Sequence, residues 1–254
     1  MYNKKDFKIK LEKFITINLK NYDYVYLTSD IRGFLQTYRS LDANEICSIL
    51  ISLFLKKNIT TIIPAYTYTS KGKFFLSKEN SNLSYMTKWI LKKKNIMRSE
   101  HPIFSVCAIG KNSNIVKNIG KSAFGLNSIF DRLLKKKSSI FHFGRPFSYG
   151  NTMIHFIEQK YSSKYRFHKT FKTKVYKNKK FIGSNYSAFV RKGKVHDKRF
   201  VSNTNKIAKV IKNKDFFKQI GNEKNLTNIT HLDLKKTYHS MCKAYQKNNK
   251  IFIN

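Results

Sequence analysis

Residues 140–160 read I-F-H-F-G-R-P-F-S-Y-G-N-T-M-I-H-F-I-E-Q-K. Ile140 to Phe143 is a short apolar run of strand type. Gly144, Pro146, Ser148 and Gly150 break it with turn chemistry. Asn151 or Thr152 then stands where a cap belongs, ahead of a helix that begins at Met153. A strand thus enters a loop that feeds a helix, and in α/β proteins ligands gather at such carboxyl ends of strands. One turn into the helix come His155 and Glu158. At spacing i, i+3 their side chains share one face, and a histidine beside a carboxylate is the commonest general base working near neutral pH. Taken alone, an H-x-x-E pair is more often a surface contact than a catalytic one, so its meaning depends on what surrounds it.

Outward from this stretch, helical and extended patterns alternate. Phe7, Leu11, Phe14 and Ile15 fall at i, i+4, i+7, i+8 and predict an opening amphipathic helix over residues 6–18. Tyr24 to Leu27 is a short strand that runs into Thr28-Ser29-Asp30-Ile31-Arg32-Gly33-Phe34. Hydroxyls, an arginine and a glycine directly after a buried strand suit a phosphate-handling loop; by themselves they read better as a polar turn. Asp42 caps a predicted helix from Ala43 to about Lys57, Thr60 to Ile63 is a strand closed by Pro64, and Tyr66-Thr67-Tyr68-Thr69 is an aromatic, polar loop. A helix over 83–94, a strand over 103–109 and a helix opened by Ser128 lead back to Ile140. After Lys160 the texture changes. Residues 167–176 and 181–190 flank Lys177-Asn178-Lys179-Lys180 as a β-hairpin, Ile207 to Ile220 reads as a helix, and Thr237 to Gln246 as a last helix. The fold class is therefore α/β: a mixed, partly parallel sheet flanked by helices, with a C-terminal β-hairpin plus helix lobe. The chain reads as a single domain, residues 24–160 forming its core and 161–254 its C-terminal lobe.

Composition narrows the function. The 254 residues carry a net charge of +37, from 51 Lys and Arg against 14 Asp and Glu. Such a charge suits a polyanionic partner. The lysines are spread along the whole chain, with no stripe and no nucleic-acid motif, so most of the excess reads as the drift of an AT-rich genome and nucleic acid is not the expected ligand. No run of about 18 apolar residues predicts a membrane span, and residues 1–10 lack an apolar signal region, which points to the cytoplasm. Cys47, Cys107 and Cys242 form neither a metal spacing nor a disulfide framework; buried free thiols are expected, and no metal. A homodimer is one assembly this reading allows.

Four segments, in order, resemble the aminoglycoside 3-N-acetyltransferase family. They are the strand with Thr28-Ser29-Asp30-Ile31-Arg32; Pro64-Ala65-Tyr66-Thr67; Arg98-Ser99-Glu100-His101-Pro102-Ile103-Phe104-Ser105-Val106; and Gly144 through Asn151-Thr152 to His155 and Glu158. Phe124-Gly125-Leu126-Asn127-Ser128 fits between the last two. The resemblance covers roughly residues 24 to 160. It implies an acetyl-CoA-dependent N-acyltransferase with His155 as general base and Glu158 as its orienting carboxylate. Thr28, Ser29, Arg32, Arg98, His101 and Ser105 are implied on the CoA side, and Tyr66, Phe147, Tyr149, Asn151 and Thr152 around the acceptor. The loop from Gly144 to Gly150 is longer and more aromatic than the family's G-x-G. That departure, with the basic charge, leads us to expect a nucleotide-linked amino sugar of surface-polysaccharide synthesis as the small-molecule acceptor; the alternative is an aminoglycoside, with antibiotic resistance as the outcome. Phe147 and Tyr149 also read as ordinary core aromatics.

Overall fold

The computed structural model describes residues 3–68, 72–77, 79–149, 151–193, 201–212 and 214–254. Its spine is a seven-stranded sheet. Three parallel strands form the middle: β1 (Tyr24–Ser29), with β2 (Thr60–Pro64) on one side and β6 (Ser138–Phe143) on the other. Antiparallel strands extend both edges, β5 (Val106–Ile109) and β4 (Met97–Arg98) beyond β2, β12 (Ile229–Asp233) and β11 (Phe217–Ile220) beyond β6. Every residue of β1, β2 and β6 is buried. Parallel strands are covered on both faces, and alternate residues sort accordingly. Val25, Leu27, Ile63, Phe141 and Phe143 pack with α1 (Lys4–Leu19), α2 (Arg32–Thr37), α3 (Ala43–Lys56) and α4 (Tyr85–Leu91). Tyr24, Tyr26, Ile62, Ile140 and Leu232 pack with α5 (Ile129–Leu134), α6 (Met153–Lys160), α7 (Thr204–Ile211) and α8 (Leu234–Lys247).

The local signals work as their chemistry requires. Asn3 with Asp6, and Asp42 with Glu45, close capping boxes at the starts of α1 and α3. The hairpin pairs as expected but divides between two sheets. β7 (Arg166–Phe171) pairs with β10 (Tyr186–Arg191), while β8 (Lys174–Lys177) and β9 (Lys180–Gly183) take β3 (Lys73–Phe75) as a third strand. Asn178 and Lys179 make its turn with φ of 48° and 64°, the sign a two-residue hairpin loop needs.

Three local expectations are corrected. The helix over Ile207–Ile220 stops at Ile211, and Phe217–Ile220 becomes the edge strand β11 because β12 offers it a ladder. The strand over Ile103–Ile109 begins at Val106, because the His101 Nδ1 accepts the backbone N–H groups of Ile103 and Phe104 at 3.2 and 3.1 Å and bends the chain there. Thr152 precedes α6 without capping it: its backbone is already helical, and its hydroxyl bonds with Tyr26 and Tyr66 instead. Thr69 and Gly150, members of the two loops singled out above, lie outside the described residues.

Gly144 closes β6 where no other residue fits. Its φ is +68°, and a Cβ there would sit 1.9 Å from the Asp30 carbonyl oxygen. Gly144→Ala combines a disfavoured backbone with this clash, so we expect a loss of more than about 1 kcal/mol of stability. A urea midpoint equal to wild type would show that the two loops do not meet as described.

Candidate active site

The carboxyl ends of β1, β2 and β6 release three loops on the same side of the sheet, and α6 starts beside them. Between them lies a cleft in two parts. The inner cavity, about 220 Å³, is lined by Thr28, Ser29, Tyr66, Tyr68, Phe104, Arg145, Thr152 and His155, among others. The outer one, about 600 Å³, includes Asp30, Arg32, Tyr85, Pro146 and Tyr149, and shares Ser29, Leu83, Ser84 and Arg145 with the inner. The C-terminal strand region pins the loop after β6. Gly144 N–H donates to the Asn228 carbonyl at 2.7 Å, and the Asn228 amide donates to the Arg145 carbonyl at 2.8 Å.

His155 reaches the inner cavity from the first turn of α6, its side chain a quarter exposed, while Glu158 behind it has no exposure at all. The His155 Nδ1 lies 2.8 Å from the Glu158 Oε2. Tyr165 donates its phenolic hydrogen to the other oxygen at 3.0 Å, and the Arg166 Nε lies 2.7 Å from Oε2. Burial pushes the Glu158 carboxyl up, but the His155 hydrogen bond, the charges of His155 and Arg166, and the Tyr165 hydroxyl outweigh it and hold the group below the usual carboxylate range. Glu158 is therefore ionised and only accepts hydrogen bonds, whereas the Arg166 Nη2, a donor, lies 2.8 Å from the same His155 Nδ1. Nδ1 thus stands between an acceptor and a donor, and Nε2 is bonded to neither. Burial, then the Arg166 charge, lowers the His155 pKa below its usual value despite Glu158. The ring is neutral, and able to take a proton, at neutral pH.

The other residues singled out from sequence fall into two groups. Thr28, Ser29, Tyr66 and Thr152 line the inner cavity, and Arg32 and Tyr149 the outer. Asn151 is buried near them, with neither side-chain polar atom bonded among the described residues. Arg98, His101, Ser105 and Phe147 line neither cavity. The Arg98 guanidinium is committed to the carbonyls of Leu76, Glu79 and Ala65 and to the Ser105 hydroxyl, which itself donates to the Ala65 carbonyl at 2.7 Å. His101 is buried, its Nε2 3.0 Å from the Ser187 carbonyl, and burial lowers its pKa to about 4. Phe147 packs edge-on against Phe217. These four brace the cleft wall from behind.

A family model for aminoglycoside 3-N-acetyltransferases matches residues 63–232. The chain belongs to this family. It is an acetyl-CoA-dependent N-acyltransferase. No curated protein sequence matches it. Among solved structures it is similar to aminoglycoside acetyltransferase AAC(3)-IIb, with 12% identity, a TM-score of 0.76 and 98% of each chain covered. It is also similar to AAC(3)-IVa as apoenzyme, with 14% identity, a TM-score of 0.74, and 97% of this chain and 91% of that one covered. AAC-IIIb in binary complex with CoASH gives 11%, 0.74, and 94% and 96%. At these identities the likeness carries the fold.

For this acetyltransferase, sequence reading missed Arg145, Tyr165 and Arg166. The signal for the last two was indirect: Glu158 stands among Ile154, Phe156 and Ile157 on a helix with a buried face, and a carboxylate there requires a cation. Arg166→Gln removes a charge that lowers the His155 pKa, so that pKa rises. The acidic limb of kcat/KM should move to higher pH, with activity falling more at pH 6 than at pH 8. An unmoved limb would mean that the guanidinium does not act on His155.

Proposed function

We propose that this acetyltransferase moves the acetyl group of acetyl-CoA to an amine of an aminoglycoside-type acceptor by direct transfer, with His155 as general base. The observation that carries the reading is the His155 ring, held by a buried, ionised Glu158 and open to the cleft. An amino-sugar amine is largely protonated near pH 7 and cannot attack a thioester. Nε2 of His155 takes its proton. The nitrogen lone pair then forms the N–C bond and the C–S bond breaks with its electrons on sulfur; of the two protons the ammonium loses, one passes through His155 to the thiolate and the other goes to solvent. Bound acetyl-CoA supplies the electrophilic acyl carbon. Ser29, Arg32 and Arg145 suit its phosphates, as hydroxyl and guanidinium donors on the two cavities. Asn151 and Thr152 flank the acceptor side, beside Tyr66. Cys107 takes no part: burial raises its thiol to about 12.

A second acceptor is favoured by one observation. Among the described lining residues Asp30 is the one carboxylate, and Arg32 already pairs with it at 2.5 Å, while Arg145 faces both cavities. A polycationic drug prefers acidic walls; a nucleotide-linked amino sugar is a polyanion and suits these. Thiol release from acetyl-CoA, measured with gentamicin, sisomicin and nucleotide-linked 3- and 4-amino sugars, separates the two. We expect an aminoglycoside to lead in kcat/KM by tenfold or more, equivalent to about 1.4 kcal/mol, and His155→Ala to lose about 10² in kcat. The reverse order of acceptors transfers the assignment to nucleotide sugars. Full turnover by His155→Ala ends the general-base reading.

A further inference from the structure

Thr28 and His142 form a second buried pair at the cleft; the family resemblance implies Thr28 on the CoA side, but nothing above assigns the pair a task. They are register partners on β1 and β6. By alternation they share the sheet face of Tyr26 and Ile140, the face on which α6 and His155 lie. The Thr28 Oγ1 and the His142 Nδ1 are 2.6 Å apart. Thr28 lines the inner cavity together with His155. His142 is fully buried, and its Nε2 finds no hydrogen-bond partner among the described residues.

That unpartnered nitrogen decides which way the hydrogen bond runs. If Nδ1 accepts from Thr28, the ring proton sits on Nε2 and an N–H donor is orphaned in the core. If Nδ1 carries the proton and donates to Thr28, only a lone pair is left bare. Orphaned buried donors are rarer than under-used acceptors, so the second arrangement holds. Burial, with the Arg145 charge, drives the His142 pKa down to about 3, so the ring is neutral. Having accepted from Nδ1, the Thr28 hydroxyl directs its own hydrogen elsewhere, and the open side is the cavity. Because Nδ1 is already protonated, His142 cannot take the Thr28 proton, which excludes Thr28 as a nucleophile.

We propose that the Thr28 hydroxyl is a catalytic hydrogen-bond donor to the acyl carbonyl oxygen, and that His142 is the positioning residue that turns its hydrogen into the cleft. No bond is made or broken at Thr28; its hydrogen stays on Oγ1 and stabilises the charge that gathers on the carbonyl oxygen as the amine attacks. The inference rests on the acetyl-transfer reading.

The test combines thiol-release kinetics with 15N NMR of the His142 ring. Thr28→Val keeps the shape and removes the hydroxyl. It should lose about 10² in kcat, the scale for a donor of this kind, with the acetyl-CoA KM changed less than about threefold, and Thr28→Ser should recover most of the loss. His142→Leu should lower kcat, and the double variant Thr28→Val/His142→Leu should be no slower than Thr28→Val alone, since the two act as one unit. The wild-type His142 ring should be neutral with its proton on Nδ1, a measurement independent of how the variants fold. Full kcat in Thr28→Val, or a proton on Nε2, overturns the proposal. A wild type that releases no thiol with any amine overturns the acetyl-transfer reading instead.

Discussion

A carboxylate without solvent has to be bound on every side, and Glu158 meets that condition through three residues. His155 lies on its own helix, Tyr165 just past that helix, and Arg166 at the start of the hairpin strand that follows. Burying a charge alone costs several kcal/mol; pairing and hydrogen bonds offset that cost here and leave Glu158 ionised. One consequence is structural, since the hairpin lobe is tied to α6 through Arg166. The other is chemical, since the Glu158 carboxylate and the Arg166 guanidinium both meet Nδ1 of His155 and leave Nε2 without a partner in that group.

The sheet gives the pair something to act on. Only its three central strands are parallel, so their carboxyl ends open on the same side and their loops enclose one cleft. The close approach at Gly144 brings the loop after β6 against Asp30, placing Arg145 in both cavities. Strand β12 completes the arrangement from the far end of the chain, where Asn228 bonds both Gly144 and Arg145.

Much of this was legible in the sequence because the signals are local. Capping residues Asp42 and Ser128, the periodicity of Phe7, Leu11, Phe14 and Ile15, and the strand–loop–helix order around Gly144 each depend on neighbours within a turn or two. The His155–Glu158 contact was legible for the same reason, at i, i+3. What was not legible depends on distant partners. β11 is strand only because β12 lies beside it, and the three-stranded sheet needs Lys73–Phe75 to meet Lys174–Lys177. Arg98 and His101 sit in a family-like motif, yet their polar atoms turn to backbone carbonyls and amides that only the folded chain brings near. His142 carried no signal, being one more residue in an apolar strand.

The net charge of +37 bears on the acceptor but not on the base, whose state is set within the buried group around Glu158. The protonation of His155 is accordingly the most direct measure of the account. 15N NMR of the histidine rings across pH 5 to 8 should find His155 titrating below its ordinary value of about 6.5, with the neutral ring protonated on Nδ1 and bare at Nε2. A titration above that value, or a neutral ring protonated on Nε2, would contradict it.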